Sequence, residues 1–131
     1  MIVTPFYAGL LALWFLLLSV RVVMRRQTGI SVGDGGDPRL LRVIRGHANF
    51  AEYVPLILLL MALLELTRTS IYVLHALGIA LLISRLLHGY ALSFTTHFKF
   101  GRIWGATLTF VVLFVAAVLC VLKGIHGFAL T

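Results

Sequence analysis

Residues 38–66 read PRLLRVIRGHANFAEYVPLILLLMALLEL, and this stretch decides the fold. Pro38 suits the first position of a helix, and a helix of these 29 residues would span about 43 Å at about 1.5 Å per residue. Because a bilayer core is only about 30 Å thick, we expect the polar first half to project into the headgroups. Pro55 frees the carbonyl of Ala51, so the sequence also predicts a kink there.

Outside this stretch, three more apolar runs are long enough to span a bilayer as helices. We predict helices at about 5–23, 38–66, 70–92 and 102–123, all within one domain covering residues 1–131. Hydrophobic residues make up 61% of the chain, whereas roughly half of the residues of a soluble domain are apolar. The mean hydropathy is +1.07. The predicted fold class is therefore all-α integral membrane, a four-transmembrane-helix bundle in contact with membrane lipids.

The first apolar run superficially resembles a signal peptide, but its basic residues, Arg21, Arg25 and Arg26, follow it rather than precede it. We interpret it as a retained span. The segment GDGGDP at 33–38 predicts a turn, because glycine and aspartate favour turns. It lacks the Gly-Lys-Ser/Thr ending that a phosphate-binding loop would need.

The formal net charge of +7 reflects basic residues that flank the apolar runs, so it indicates membrane orientation rather than nucleic-acid binding. The side with the first and third loops carries most of them: Arg21, Arg25, Arg26, Arg39, Arg42, Arg45, Arg85, Lys99 and Arg102. The opposite side has only Arg68 and Lys123. The positive-inside rule then predicts that both long loops are cytoplasmic and both termini non-cytoplasmic.

A polar stripe on the second helix is the first candidate for a site. Arg42, Arg45, Asn49 and Glu52 follow one another at spacings of three, four and three, so they share one helical face. Ionisable groups at membrane depth usually face a protein interior or a wet cavity. Because a bundle of four helices is thin, the stripe predicts a neighbouring copy of the chain that covers it, with a site at the subunit boundary.

The other helices bring cations to the same level. Arg85 and His88 share a face of the third helix, Arg102 opens the fourth and Arg21 closes the first. Such a pocket suits an anion that also carries an ammonium group, because arginine binds carboxylates bidentately and Glu52 can pair with an amine. An arginine beside a thiol would favour the thiolate, whose unperturbed pKa is about 8.5. A thiol peptide with two carboxylates fits this description, and so does a lipid headgroup.

Simpler interpretations remain open for these residues. Arg45, Asn49 and Glu52 could form only an internal polar network that holds helices together. His47 and His88 with Glu52 match no strong metal-binding pattern, so no metal site is predicted. Cys120 lies in an apolar run and is interpreted as a packing residue.

The run RGHANFAEYVP at 45–55 resembles the second-helix signature of the MAPEG family, the membrane-associated proteins in eicosanoid and glutathione metabolism. The family pattern is Arg-x-x-x-Asn-x-x-Glu followed closely by proline. RLLH at 85–88 resembles the family's third-helix motif, and length, number of spans and topology are similar along nearly the whole chain. The GDGGDP loop and the core of the second helix look most like the bacterial branch, which implies a bacterial inner membrane.

The resemblance implies a homotrimer with glutathione, as co-substrate, bound between neighbouring subunits near the cytoplasmic face. It implies that Arg45, Asn49, Glu52 and Tyr53 hold glutathione. Arg21 and the third-helix pair Arg85 and His88 match further positions of this kind. Arg102 matches the catalytic arginine proposed to stabilise the thiolate, although Lys99 in the same loop is also a candidate.

Departures from the family pattern limit the activity that the resemblance implies. The sequence has Leu92 where relatives often carry tyrosine, with Tyr90 nearby. Ile103 follows Arg102 where the prostaglandin-forming member has serine, which argues against that isomerase activity. The leading prediction is a membrane-bound glutathione transferase or peroxidase acting on small apolar electrophiles. A non-catalytic lipid- or glutathione-binding protein is the alternative; a four-helix exporter would need a carboxylate that the first helix lacks.

Overall fold

The computed structural model describes residues 2–27 and 29–128, and its secondary structure consists of four long helices. They are α1 (Val3–Arg26), α2 (Pro38–Leu66), α3 (Ile71–Ser93) and α4 (Lys99–Phe128). α2 has the predicted limits and runs without interruption through Pro55. α4 extends beyond the predicted 102–123 at both ends, because helical hydrogen bonding continues past the apolar run into the polar ends.

All four helices are long and apolar enough to cross a membrane, so the chain is a multi-pass integral membrane protein. Large apolar side chains cover the outside of the bundle: Leu13, Leu59 and Phe114 are each more than half exposed. In water such a surface would be unfavourable, but lipid tails solvate it. The predicted fold class is confirmed.

The two middle helices form the centre of the bundle. α2 and α3 contact each other, and both contact α1 and α4, whereas no Cα atom of α1 comes within 8 Å of one in α4 over the described residues. The core between them is apolar and includes Leu11, Ile57, Leu81 and Val112. The site described below lies where α2, α3 and α4 meet at one end of this core.

The loop before α2 forms the predicted turn. Gly33, Gly35 and Gly36 all have positive φ, the backbone region that favours glycine. The Asp34 carboxylate accepts the backbone N–H of Gly36 at 3.1 Å, and Asp37 accepts that of Arg39 at 2.8 Å as the N-cap of α2. These contacts confirm the turn and the helix start at Pro38.

The start of α1 is capped by a residue from the end of α2. The N-cap residue, Ile2, makes no side-chain cap; instead the Glu65 carboxylate accepts the backbone N–H groups of Ile2, Val3 (2.9 Å) and Thr4 (2.8 Å). A negative charge at a helix N-terminus is favourable, because the free N–H groups carry the positive end of the helix dipole. Glu65 thereby ties two helix ends together.

Replacing Glu65 with glutamine is expected to lower the free energy of unfolding by about 1–2 kcal/mol, because a neutral amide with one acceptor oxygen replaces a charged cap. Thermal unfolding in detergent would measure this loss. Glu52→Gln is the matched control, since its exposed ion pair with Arg45 is 3.9 Å long and such pairs contribute about 1 kcal/mol or less. Equal losses in the two variants would contradict the capping role.

Candidate functional site

Polar side chains gather at one end of the bundle, where α1 and α3 end and α2 and α4 begin; we call it the basic end. A cavity of about 310 Å³ opens there between α2, α3 and α4. We call it the α2–α4 cavity, and its lining residues are Leu41, Arg42, Arg45, Asn49, His88, Leu92 and Arg102. Its volume lies at the lower end of the range for ligand sites, roughly 300–1,000 Å³.

The charge of the α2–α4 cavity is one-sided. Three arginines line it, and none of its lining residues within the described part of the chain is acidic. Arg45 and Arg102 are exposed and able to reach a ligand, whereas His88 is buried in the cavity wall. The arrangement can therefore accept carboxylates or other anions through charge-assisted hydrogen bonds.

Arg85 lies behind the cavity and holds Asn49. Its side chain is only 1% exposed, and Nη1 donates to Asn49 Oδ1 at 2.9 Å. Nη2 donates to the Gly105 carbonyl oxygen at 3.3 Å and to the Thr109 hydroxyl. Because the Asn49 amide oxygen is occupied, its NH₂ group is what remains for a ligand in the cavity. Arg85, predicted to bind the ligand, is thus placed to act through Asn49.

The sequence did not single out the partners of Arg85 on α4. Thr109 is 1% exposed, and its hydroxyl lies 2.8 Å from the Gly105 carbonyl oxygen and 3.1 Å from Ser84 Oγ. The only sequence signal for this network is a hydroxyl residue inside an apolar run, because such residues commonly bond across helices in membranes.

The Arg42 side chain forms its hydrogen bonds with the protein's own backbone. Its Nη2 donates to the carbonyl oxygens of Ala91 at 2.9 Å and Thr95 at 2.8 Å, at the C-terminal end of α3. A cation is favourable there, because it meets the negative end of the helix dipole. Arg42 therefore stabilises the cavity wall and adds positive charge, while Arg45 and Arg102 are freer to contact a ligand.

Glu52 and Tyr53 do not line the α2–α4 cavity. Glu52 lies on the outer face of α2, where its carboxylate is 3.9 Å from Arg45 and half exposed. The Tyr53 ring packs edge-on against Phe110, with the centroids 5.4 Å apart. Glu52 thus stays beside Arg45, but neither Glu52 nor Tyr53 is among the residues that line the cavity of one subunit.

Arg21 also lies apart from the α2–α4 cavity. Its Nη2 donates to the Ser93 carbonyl oxygen at 2.6 Å, and its guanidinium stacks 4.2 Å from the centroid of the Phe94 ring. It lines a second cavity of about 200 Å³, which also contains Arg25 and Arg39 and which shares Arg42 with the first. The sequence predicted that these cations would share one pocket, but the structure distributes them between two cavities.

The structure distinguishes the two cations of the third loop. Arg102 lines the α2–α4 cavity, whereas Lys99 lines a pocket of about 10 Å³ that Arg102 also borders and that is too small for a peptide. Of the two, Arg102 has the better position to face a thiol bound in the larger cavity.

The fold and the site define a class: a four-helix membrane protein with an arginine-lined cavity between helices at one end. A family model described as "MAPEG family" matches residues 4–122, and the chain belongs to this family.

Two bacterial proteins are similar to the chain. "Inner membrane protein YecN" of Escherichia coli strain K12 is 39% identical over 89 residues, which cover 67% of this chain and 68% of the relative. The YecN protein of Escherichia coli O6:H1 strain CFT073 is similar to the same extent. These names place the relatives in the inner membrane.

Proposed function

We propose that this protein binds glutathione in the α2–α4 cavity and acts as a membrane glutathione transferase or peroxidase on small apolar electrophiles. The observation that carries the proposal is a cavity lined by three arginines, His88 and an asparagine whose free amide hydrogens are available to a ligand. Membership of the MAPEG family supports glutathione as the thiol.

The proposed chemistry follows from the groups that the cavity presents. Glutathione has two carboxylates, one ammonium group and one thiol. Arg45 pairs with a carboxylate, the Asn49 amide donates to a peptide or carboxylate oxygen, and Arg102 stabilises the thiolate. The thiolate sulfur then attacks the electrophile, so a sulfur–carbon bond forms and the leaving group departs with its electron pair.

The outer face of α2 supports a homotrimer in which glutathione lies between neighbouring subunits. Arg45 and Glu52 are each about half exposed, although they lie within a membrane-spanning helix. Ionisable side chains at such positions are usually covered by protein or line a wet cavity. A neighbouring subunit would provide that cover and would bring Glu52 and Tyr53 to the ligand, with Glu52 pairing with its ammonium group.

The location that we propose is a bacterial inner membrane, as the name of the YecN relatives suggests. The basic end would face the cytoplasm, because cytoplasmic loops carry an excess of lysine and arginine. Glutathione would enter from that side, and the apolar electrophile would arrive from the bilayer between helices.

Calorimetry with glutathione on the detergent-solubilised protein tests the binding step. Arg45→Gln is expected to weaken binding by roughly tenfold to a hundredfold, since a hydrogen bond to a charged group contributes about 1.5–3 kcal/mol. Arg102→Gln is expected to abolish the thiolate absorbance that appears when glutathione is mixed with the protein. Arg26→Gln is the control, because Arg26 is a cation of the basic end that lines neither cavity.

Two outcomes would contradict the proposal. One is the absence of glutathione binding by the purified protein. The other is binding that Arg45→Gln weakens no more than Arg26→Gln does, because general attraction to a basic surface would then explain it.

A binding protein without catalysis is the second candidate, and one observation favours it. The Arg102 side chain is exposed and forms no hydrogen bond with any other residue of the described segments 2–27 and 29–128. Catalytic groups are normally held in place by neighbouring side chains. Glutathione or lipid retained by the purified protein, without turnover of standard electrophiles, would favour this candidate.

A further inference from the structure

The second cavity of the basic end, which we call the arginine cavity, lies beside the α2–α4 cavity and shares Arg42 and Leu92 with it. It has a volume of about 200 Å³ and lies between the end of α1, the start of α2 and the end of α3. Arg21, Arg25, Arg39 and Arg42 line it, and no acidic residue does so in the described part of the chain. Such a concentration of positive charge around one small cavity attracts an anion.

Two buried polar atoms beside the arginine cavity point to the same kind of ligand. Ser93 is only 5% exposed, and its Oγ has no hydrogen-bond partner in the described structure. The Nε of Arg21 is also buried without a partner there. Nearly all buried polar groups in proteins are paired. Both atoms can donate, so the missing partner is rich in acceptor oxygens, as a phosphate group is.

An apolar groove of about 370 Å³ lies next to the arginine cavity on the lipid-facing surface. It is lined by Trp14 of α1 and by Leu86, Leu87 and Tyr90 of α3. The indole N–H of Trp14 donates to the carbonyl oxygen of Arg85 at 3.1 Å, which fixes the ring that forms one wall. The groove is therefore a formed surface feature of suitable polarity for a hydrocarbon chain.

Phe94 connects the groove to the arginine cavity. Its ring lines the arginine cavity and lies under the Arg21 guanidinium. The distance from the ring centroid to the Arg21 Cζ atom is 4.2 Å. It also stacks on Trp14 and Tyr90, with centroids 6.1 Å and 5.6 Å apart, and these two rings line the groove. A molecule with an anionic head and an apolar tail could thus occupy both without a polar gap between them.

We propose that the arginine cavity binds the phosphate of an anionic phospholipid and that the adjoining groove holds one of its acyl chains. Basic pockets between transmembrane helices at the headgroup level bind such lipids. A soluble phosphate would satisfy the arginines and Ser93, but it would not use the groove. A zwitterionic lipid would place its ammonium group among the arginines, so the site prefers a net negative headgroup.

Native mass spectrometry of the full chain in detergent tests this proposal. The protein is titrated with phosphatidylglycerol, with phosphatidylcholine of the same acyl chains, and with glycerol 3-phosphate. We expect phosphatidylglycerol to bind more tightly than either of the other two. In the double variant Arg25→Gln/Arg39→Gln, its binding is expected to weaken about thirtyfold, since each cation near an anionic lipid contributes about 1 kcal/mol.

Control variants separate the site from general charge and from folding. Arg26→Gln/Arg68→Gln removes two positive charges outside the arginine cavity and is expected to leave binding nearly unchanged. Leu86→Trp changes a side chain that is 40% exposed and narrows the groove. This variant is expected to weaken the binding of phosphatidylglycerol but not that of glycerol 3-phosphate. An unchanged thermal unfolding curve in detergent shows that each variant is folded.

Three results would overturn the proposal. Equal binding of the two phospholipids would exclude recognition of the anionic headgroup. Displacement of phosphatidylglycerol by an equal concentration of glycerol 3-phosphate would make this a site for soluble phosphates. Unchanged binding in the Arg25→Gln/Arg39→Gln variant would place the lipid elsewhere. None of these results depends on whether glutathione is the substrate of the α2–α4 cavity.

Discussion

Gly105→Val is expected to lower the free energy of unfolding by about 3 kcal/mol, because overpacking at a tight contact costs about 1–3 kcal/mol and sometimes more. A Cβ at this position would lie 2.8 Å from the backbone nitrogen of His88 and 2.8 Å from the carbonyl oxygen of Ser84. Backbone atoms cannot rotate away as the end of a side chain can, so α3 and α4 would have to separate. The gain in helix propensity on replacing glycine is below about 1 kcal/mol and does not compensate.

Thermal unfolding in detergent, followed by circular dichroism, would measure this loss. Gly124→Val is the matched control, since it lies in the same helix and a Cβ there would have nothing within 4 Å. Similar melting temperatures for the two variants would show that α4 can shift at little cost, contrary to the close contact. Gly105→Val should also weaken glutathione binding, because Arg102 lies near the start of α4, the helix that would be displaced.

Arg85→Met is expected to weaken glutathione binding by at least tenfold and to lower the free energy of unfolding by about 1–3 kcal/mol. The methionine fills much of the space but donates no hydrogen bond, so Asn49 Oδ1 loses its donor and the amide can rotate. The effect on binding is indirect, since Arg85 does not line the α2–α4 cavity. Calorimetry would measure the change in glutathione affinity of this variant, and thermal unfolding would measure its change in stability.

A thermodynamic cycle with Asn49→Ala separates positioning from general destabilisation. If Arg85 acts through Asn49, the double variant should bind glutathione about as well as Asn49→Ala alone, because the amide to be positioned is gone. Thr109→Val removes only one partner of Arg85 and is expected to have a smaller effect on binding. Additive losses in the cycle would contradict the positioning role and favour a purely structural one.

The transmembrane architecture could be predicted from residues close together in the chain. Apolar runs of sufficient length indicated four spans, since each run needs only its own backbone to satisfy its hydrogen bonds in lipid. Pro38 and the GDGGDP segment set the start of α2 through local turn and capping contacts. The signature around Arg45, Asn49 and Glu52 also indicated the family, to which the chain belongs.

The composition of the candidate site was only partly predictable. Arg45, Asn49, His88 and Arg102 meet in one cavity, as the shared helix faces suggested. The positions of these residues along the bundle could not show which side chains enter the cavity: Glu52 stays beside Arg45 but is half exposed and does not line it. The trimer that would cover Glu52 and Tyr53 stays a prediction.

By itself, the sequence determined the number of spans, the start of α2 and the cations that gather at one end, because these depend on local hydropathy, turn chemistry and helical spacing. Only the tertiary structure decided that Glu65 caps α1, that Arg85 is buried behind Asn49 and that the cations divide into two cavities. Such contacts join residues far apart in the chain. They depend on how each helix is rotated about its axis and which helices are neighbours, and the packing of the whole bundle sets both.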